Sequence, residues 1–239
     1  MKKLILTAAI LGLTAGVAAA ETVRMGTEGA YPPYNYIDDN GQVAGFEREL
    51  GDKLCEMEGL TCTWVTNDWD SIIPNLLSGN YDTIIAGMSI TEEREKSIDF
   101  TQAYYPPAAS AYMSMDPNVD LKGGVVAAQT GTIQAAHVAE SGATLAEYAT
   151  LDDTIAAVKN GEADAVFADK DALVPFAGTD GMEFVGEDVP LGKGIGIGLR
   201  KSDTALKDKF DDAISKMKAD GSLNTMIKKY FGEDALTFN

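Results

Sequence analysis

Four short stretches hold the side chains that have chemistry to offer, and each follows a segment that reads as a buried β-strand. "TVRMGT" (22–27) runs into Glu28, with Tyr31 close behind. "DTIIAG" (82–87) ends in Ala86 and Gly87, then Met88, Ser89 and, inside "TEEREK", Arg94. "GVVAAQ" (124–129) leads into Thr130, Gly131 and Thr132, which open a helix carrying Gln134 in its first turn; "DAVFAD" (164–169) ends on Asp169. In open parallel α/β sheets, ligands bind beyond the carboxyl ends of the strands, so these groups are expected to share one cleft. An arginine, two carboxylates, hydroxyls and a helix start form a set that can hold a zwitterion. A carboxylate group suits the bidentate guanidinium of Arg94 and the helix-start amides from Thr132 onward. An ammonium suits Asp169, the Ser89 hydroxyl and the Gly87 carbonyl. Tyr31 and Trp69 are available to sandwich what lies between. If Glu28 faces the cleft, a cationic side chain is its complement, because a buried carboxylate without a counter-charge must take a proton or bind water.

Each of these residues also has a plainer reading. Arg94 stands among Glu92, Glu93 and Glu95, and charge runs of that kind usually form solvated faces. Asp169 fits as an N-cap for the turn at "KDALVPF", Tyr31 and Trp69 fit as core aromatics, and Glu28 could point to solvent. Catalysis finds little support: there is one histidine, His137, and no nucleophile beside a base, so the expectation is a protein without catalytic residues, cofactor or metal. "YNYIDDNG" begins like a calcium loop at Asp38, Asp39 and Asn40 but lacks the closing glutamate, and reads as a hairpin turn.

The elements that must position these groups alternate between strand and helix, which implies βαβ units and largely parallel sheets. Phe46, Leu50, Leu54 and Met57 make a helical stripe, "TCTWVT" (61–66) a strand, and "WDSIIPNLLSGN" a short helix closed by Gly79. After the extended run "FTQAYYPPAASAYMSM", a second series begins: strand 124–129, helix "TIQAAHVAES", a helix in "LDDTIAAVKNG" capped by Asp152 or Asp153, and strand 164–169. "GIGIGLR" (194–200) is extended. Two amphipathic helices then finish the chain, one with Leu206, Phe210, Ile214 and Met217, the other N-capped by Ser222 and ended by Gly232. "LLSGNYDTIIAGMS" and "AVKNGEADAVFADK" repeat one pattern of helix end, glycine, aspartate and buried strand, once in each series. The expected architecture is α/β in two lobes, 21–109 with 195–239 and 110–194, joined by two extended connections near Pro107 and Gly194. A ligand held by Arg94 on one lobe and Asp169 on the other would close the cleft about that hinge.

Bulk properties narrow the setting. Lys2 and Lys3, the apolar run from Leu4 to Val17 and Ala18-Ala19-Ala20 read as a secretory signal over 1–20, placing the protein outside the cytoplasm, in the periplasm. The formal charge of −18 argues against nucleic acid and anionic membranes as partners. Cys55 and Cys62 are the two cysteines, and in an exported protein they read as one disulfide stapling a helix end to the next strand.

From residue 22 onward the chain resembles the periplasmic solute-binding proteins of the polar amino-acid family, the receptors of ABC importers. The resemblance rests on "GTEGAYPPYNYIDDNGQVAGFERELGDKLC", "WDSIIPNLLSGNYDTIIAGMSITEEREKSIDFTQAYY", "QTGTIQA", "GEADAVFAD" and "KKYFG". It implies the two-lobed type II periplasmic-binding-protein fold, a monomer, and an amino acid delivered to a membrane permease. It further implies that Arg94 and Thr132 bind the carboxylate, that Asp169 binds the ammonium, that Gly87 and Ser89 form the loop beside them, and that Tyr31 and Trp69 flank the side chain. The Cys55–Cys62 spacing resembles the disulfide of the lysine/arginine/ornithine and histidine receptors. Glu28 stands where the basic amino-acid receptors have aspartate, "GTEG" being closer to the opine receptors, and Ala86 and Gly87 replace serines there. A cationic amino acid or opine is therefore the expected ligand. The alternative is a periplasmic dehydratase on the same fold, with Glu28 as its acid or base.

Overall fold

The computed structural model describes residues 21–239; the signal-sequence reading of 1–20 lies outside the described residues. The chain opens with β1 (Thr22–Thr27), a small antiparallel meander of β2 (Ala30–Tyr31), β3 (Asn35–Ile37) and β4 (Val43–Ala44), and helix α1 (Phe46–Met57). The Asp38–Gln42 turn between β3 and β4 is the expected hairpin, with Asp38 Oδ1 accepting the amides of Asn40 and Gln42. β5 (Thr61–Thr66) follows, then a 3₁₀ turn (Trp69–Ser71) continuing into α2 (Ile72–Leu77), β6 (Thr83–Ile84), α3 (Glu92–Glu95) and β7 (Asp99–Phe100).

The second series comprises β8 (Ala109–Ser114), β9 (Val125–Gln129), α4 (Ile133–Ser141), β10 (Thr144–Tyr148), α5 (Leu151–Lys159), β11 (Ala165–Asp169), α6 (Lys170–Leu173) and β12 (Glu183–Pro190). The chain then returns through β13 (Gly198–Leu199) to α7 (Thr204–Ala219) and α8 (Ser222–Phe231).

Two five-stranded sheets result. The first runs β5-β1-β6-β13-β7, with β1 parallel to β5 and β6 and the returning β13 antiparallel to its neighbours. The second runs β10-β9-β11-β8-β12, with β9 parallel to β10 and β11 and the entering β8 antiparallel to β11 and β12. In each sheet the antiparallel strand is the one attached to a crossing between lobes. The two crossings are bonded to each other: the Ile195 amide donates to Tyr105 O at 3.0 Å, and the Tyr104 amide to Ile195 O at 2.8 Å.

The helices pack as their stripes require. Phe46, Leu50 and Leu54 of α1 are fully buried, and α7 and α8 bring Phe210, Ile214, Leu223 and Ile227 into the same core. Phe231, at the end of α8, meets Tyr34, Phe46 and Tyr105 with ring centroids 4.7–5.3 Å apart, which ties the C-terminal helix to the first crossing. The disulfide joins Cys55 near the end of α1 to Cys62 in β5, as expected.

Some local expectations are corrected. Helix α5 is capped by Thr150, one residue before its start, rather than by Asp152 or Asp153: Thr150 Oγ1 accepts the Asp153 amide at 3.1 Å and donates to Asp153 Oδ2 at 2.8 Å. Ser222 is the first residue of α8, and the cap is Gly221 in a left-handed conformation. Strands β10 and β12 gave no clear signal in sequence, because as edge strands they are held by backbone pairing and leave many side chains in solvent.

Candidate functional site

A small cavity lies between the two sheets. It is lined by Glu28, Tyr31, Trp69, Ala86, Gly87, Ser89 and Arg94 from the first lobe, and by Gln129, Thr132, Ile133, Gln134 and Asp169 from the second. The strand-end argument therefore brought together groups more than a hundred residues apart. Met88 is the exception among the expected residues. It is fully buried and packs with Trp69, Ile72, Ile84 and Ile98, behind the wall rather than on it.

Arg94 sits in α3, a single turn that Thr91 caps by accepting the Arg94 amide at 3.2 Å. Its guanidinium turns away from the flanking glutamates. Nη1 donates to Ser89 O at 2.9 Å, Nη2 reaches Gly131 O of the other lobe at 3.4 Å, and the group lies 5.3 Å from the centre of the Trp69 ring. Burial pushes its pKa down to about 10, with Asp169 opposing the fall, so it stays cationic at neutral pH. A guanidinium has five N–H donors, so these two bonds leave donors over for an anion.

Asp169 ends β11 and begins α6, yet it does not use its carboxylate as a cap. Oδ2 accepts the Tyr31 hydroxyl at 2.8 Å across the cleft, and Oδ1 accepts Gln134 Nε2 at 2.9 Å. Burial pushes its pKa up to about 6, against the two donors and Arg94. Gln134 Nε2 also donates to Ser110 Oγ at 2.9 Å, which fixes its amide. Tyr31 thus acts through its hydroxyl as well as its ring, and that ring rests against Gly87, where a Cβ would stand 3.4 Å from it.

Thr132 caps α4 by accepting the Ala135 amide at 3.1 Å, while its hydroxyl proton goes to Gln129 O at 2.7 Å. What this helix start can offer an anion is therefore backbone N–H of the first turn, which has no intrahelical acceptor, rather than the threonine hydroxyl. Glu28 is half-buried and accepts Gln129 Nε2 from the other lobe at 2.6 Å. Burial pushes its pKa up to about 7, with Gln129 opposing and Glu47 and Asp68 adding to the rise. Gln129 and Ile133 were not anticipated. Gln129 is the last residue of β9, so the strand-end rule applied one residue earlier would have found it. Among the described residues no group of three or more His, Cys, Asp or Glu side chains could hold a metal.

Two α/β lobes joined by two crossings, with a cavity of opposite charges between them, define a solute-binding protein of the two-lobed kind. Residues 23–233 match the model of the bacterial extracellular solute-binding proteins, family 3, and the chain belongs to that family. It is 35% identical over 260 residues to the L-arginine-binding protein of Pseudomonas aeruginosa, covering 100% of both chains. It is also 35% identical to the lysine/arginine/ornithine-binding periplasmic protein of Escherichia coli, covering 97% of each. The crystal structure of a periplasmic His/Glu/Gln/Arg/opine family-binding protein from Silicibacter pomeroyi in complex with lysine superposes with a TM-score of 0.89. It is 69% identical and covers 90% of this chain and 100% of that one.

Proposed function

We propose that this protein is a non-catalytic periplasmic receptor that captures a cationic amino acid and delivers it, as a monomer, to the membrane permease of an ABC importer. The observation that carries the ligand class is the third charge on the cavity wall, Glu28, whose carboxylate has one amide partner and is pushed up to about 7 by burial. Arg94 and the first-turn amides of α4 hold the α-carboxylate, and Asp169 with the Gly87 carbonyl holds the α-ammonium. The side chain then lies between Tyr31 and Trp69, where an ammonium or guanidinium supplies the counter-charge Glu28 lacks. The relatives named for arginine and for lysine/arginine/ornithine, and the lysine in the Silicibacter pomeroyi structure, support the same class.

Residues 21–109 with 195–239 move as one lobe against 110–194, and the bonds from Tyr31 to Asp169 and from Gln129 to Glu28 latch the closed form. Calorimetry with arginine, lysine, ornithine, histidine, glutamine and an opine tests the reading. Cationic ligands bind tightest; glutamine bound best, with no heat from cationic ligands, defeats it. Incubation with arogenate or prephenate yields no product, whereas turnover that disappears in Glu28→Gln would replace the receptor by an enzyme.

A further inference from the structure

Behind the cavity wall, in the first turn of α1, Glu47 is a carboxylate with no exposed surface. All three of its hydrogen-bond partners are donors. Oε1 accepts the Gly87 amide at 2.6 Å and the Tyr104 hydroxyl, and Oε2 accepts Asn35 Nδ2 at 2.7 Å. Asn35, equally buried, uses its other amide atom, Oδ1, to accept the Gly29 amide at 2.6 Å. Gly29 follows Glu28 and Gly87 follows Ala86, and both glycines have left-handed backbone, with φ of +77° and +62°. One carboxylate therefore holds, directly at Gly87 and through Asn35 at Gly29, the two first-lobe loops that carry Glu28, Tyr31, Ala86, Gly87 and Ser89 into the cavity. Its own place is fixed by the Tyr-Pro-Pro-Tyr turn: Tyr34 O accepts the Glu47 amide at 2.9 Å and Pro33 O that of Phe46 at 3.0 Å.

We propose that Glu47, acting through Asn35, is a positioning residue that sets the ligand-binding geometry of the cavity. The reason is the polarity of the chain of bonds. Asn35 can accept from Gly29 only while its NH₂ faces Glu47, and only an acceptor at both oxygens of residue 47 satisfies Asn35 and Gly87 together. A glutamine side chain at this position has the same shape and cannot do this. With its NH₂ toward Asn35, the Asn35 amide must flip and present N–H to the Gly29 amide. With its NH₂ toward Gly87, two N–H groups meet there instead. Either way one glycine amide loses its partner in a buried site. Combining Asn35→Asp with Glu47→Gln restores every pair, since the introduced amide donates to one oxygen of the introduced carboxylate while the other oxygen accepts from Gly29.

The affinity arm of the test rests on the amino-acid-binding reading; the amide arm does not. Wild type, Glu47→Gln and the double variant Asn35→Asp/Glu47→Gln are compared by NMR amide exchange at Gly29 and Gly87, by urea midpoint, and by calorimetric Kd for L-lysine. In Glu47→Gln one of the two glycine amides exchanges about tenfold faster or more, amides of β9 stay protected, and lysine binds about tenfold more weakly. The double variant recovers both. Unchanged glycine protection and Kd in Glu47→Gln overturns the proposal, as does a double variant with the wild-type urea midpoint that recovers neither. If Glu47→Gln does not fold, the double variant decides alone: it folds with both glycine amides protected, or the proposal is wrong. If wild type binds no lysine, the ligand reading falls while the glycine amides still judge Glu47.

Discussion

Glu28→Gln removes a charge from the cavity wall while keeping the shape of the side chain. Burial raises the wild-type pKa to about 7, so at pH 7 about half of the molecules carry Glu28 protonated. A cationic ligand selects the ionised form, so binding at that pH releases about half a proton more from wild type than from the variant. Breaking a fully buried charge pair costs ~2–5 kcal/mol. Glu28 is half-buried, which puts the loss near the lower end, about 2 kcal/mol or roughly thirtyfold in Kd at pH 8. Below pH 7 the wild type must give up a proton to bind, losing up to about tenfold per pH unit, so the two proteins converge near pH 5.5. Asp169, with its pKa pushed up to about 6, weakens both alike at the acid end. The assay is calorimetry with arginine and lysine from pH 5.5 to 8.5, in buffers of different ionisation enthalpy. Equal affinities at pH 8, or equal proton release at pH 7, refutes the assignment of Glu28 to the ligand's cation.

Arg94→Ala weakens every α-amino acid the protein binds, cationic or neutral, by about 2–4 kcal/mol, because it removes the carboxylate's partner rather than the side chain's; the same calorimetric panel measures it. Stability without ligand should fall as pH rises from about 4 to 7. Glu28 and Asp169 have folded-state pKa values raised by burial, to about 7 and about 6, so the folded protein holds more protons than the unfolded chain in that window. Urea midpoints follow this fall, and its span shrinks in Glu28→Gln. Reducing the Cys55–Cys62 bond, whose ends are seven residues apart, costs about 2.5 kcal/mol on the chain-entropy scale. Thermal melting should drop by about 5–10 °C, with lysine affinity unchanged, since neither cysteine lines the cavity.

The repeating units of the fold were legible because each combines a periodic apolar segment with a glycine stop. β1 and β5 fall where alternation placed them, and the α1 stripe of Phe46, Leu50 and Leu54 is the buried face. The strand-end rule assembled most of the cavity because the topology of a parallel sheet makes it general: every such strand delivers its last residues to the same edge. Met88 escaped it because it lies past the end of the strand, beyond the left-handed turn at Gly87, and its side chain packs into the core with Ile72, Ile84 and Ile98. Glu47 escaped altogether, since an acid in a first helical turn is ordinary on dipole grounds and nothing in its neighbours announces burial.

The sequence by itself determined the α/β class, the two series of elements and the residue types that meet a zwitterion, because those depend on local periodicity and on chemistry a side chain carries wherever it sits. The tertiary structure alone decided their roles. Whether Arg94 serves solvent or a cleft depends on Trp69 and Gly131, which reach it from distant parts of the chain. Whether Asp169 caps a turn or faces Tyr31 depends on the other lobe. Charge and hydrogen-bond energies are set by burial and by partners far away in sequence, and neither exists until the chain has folded.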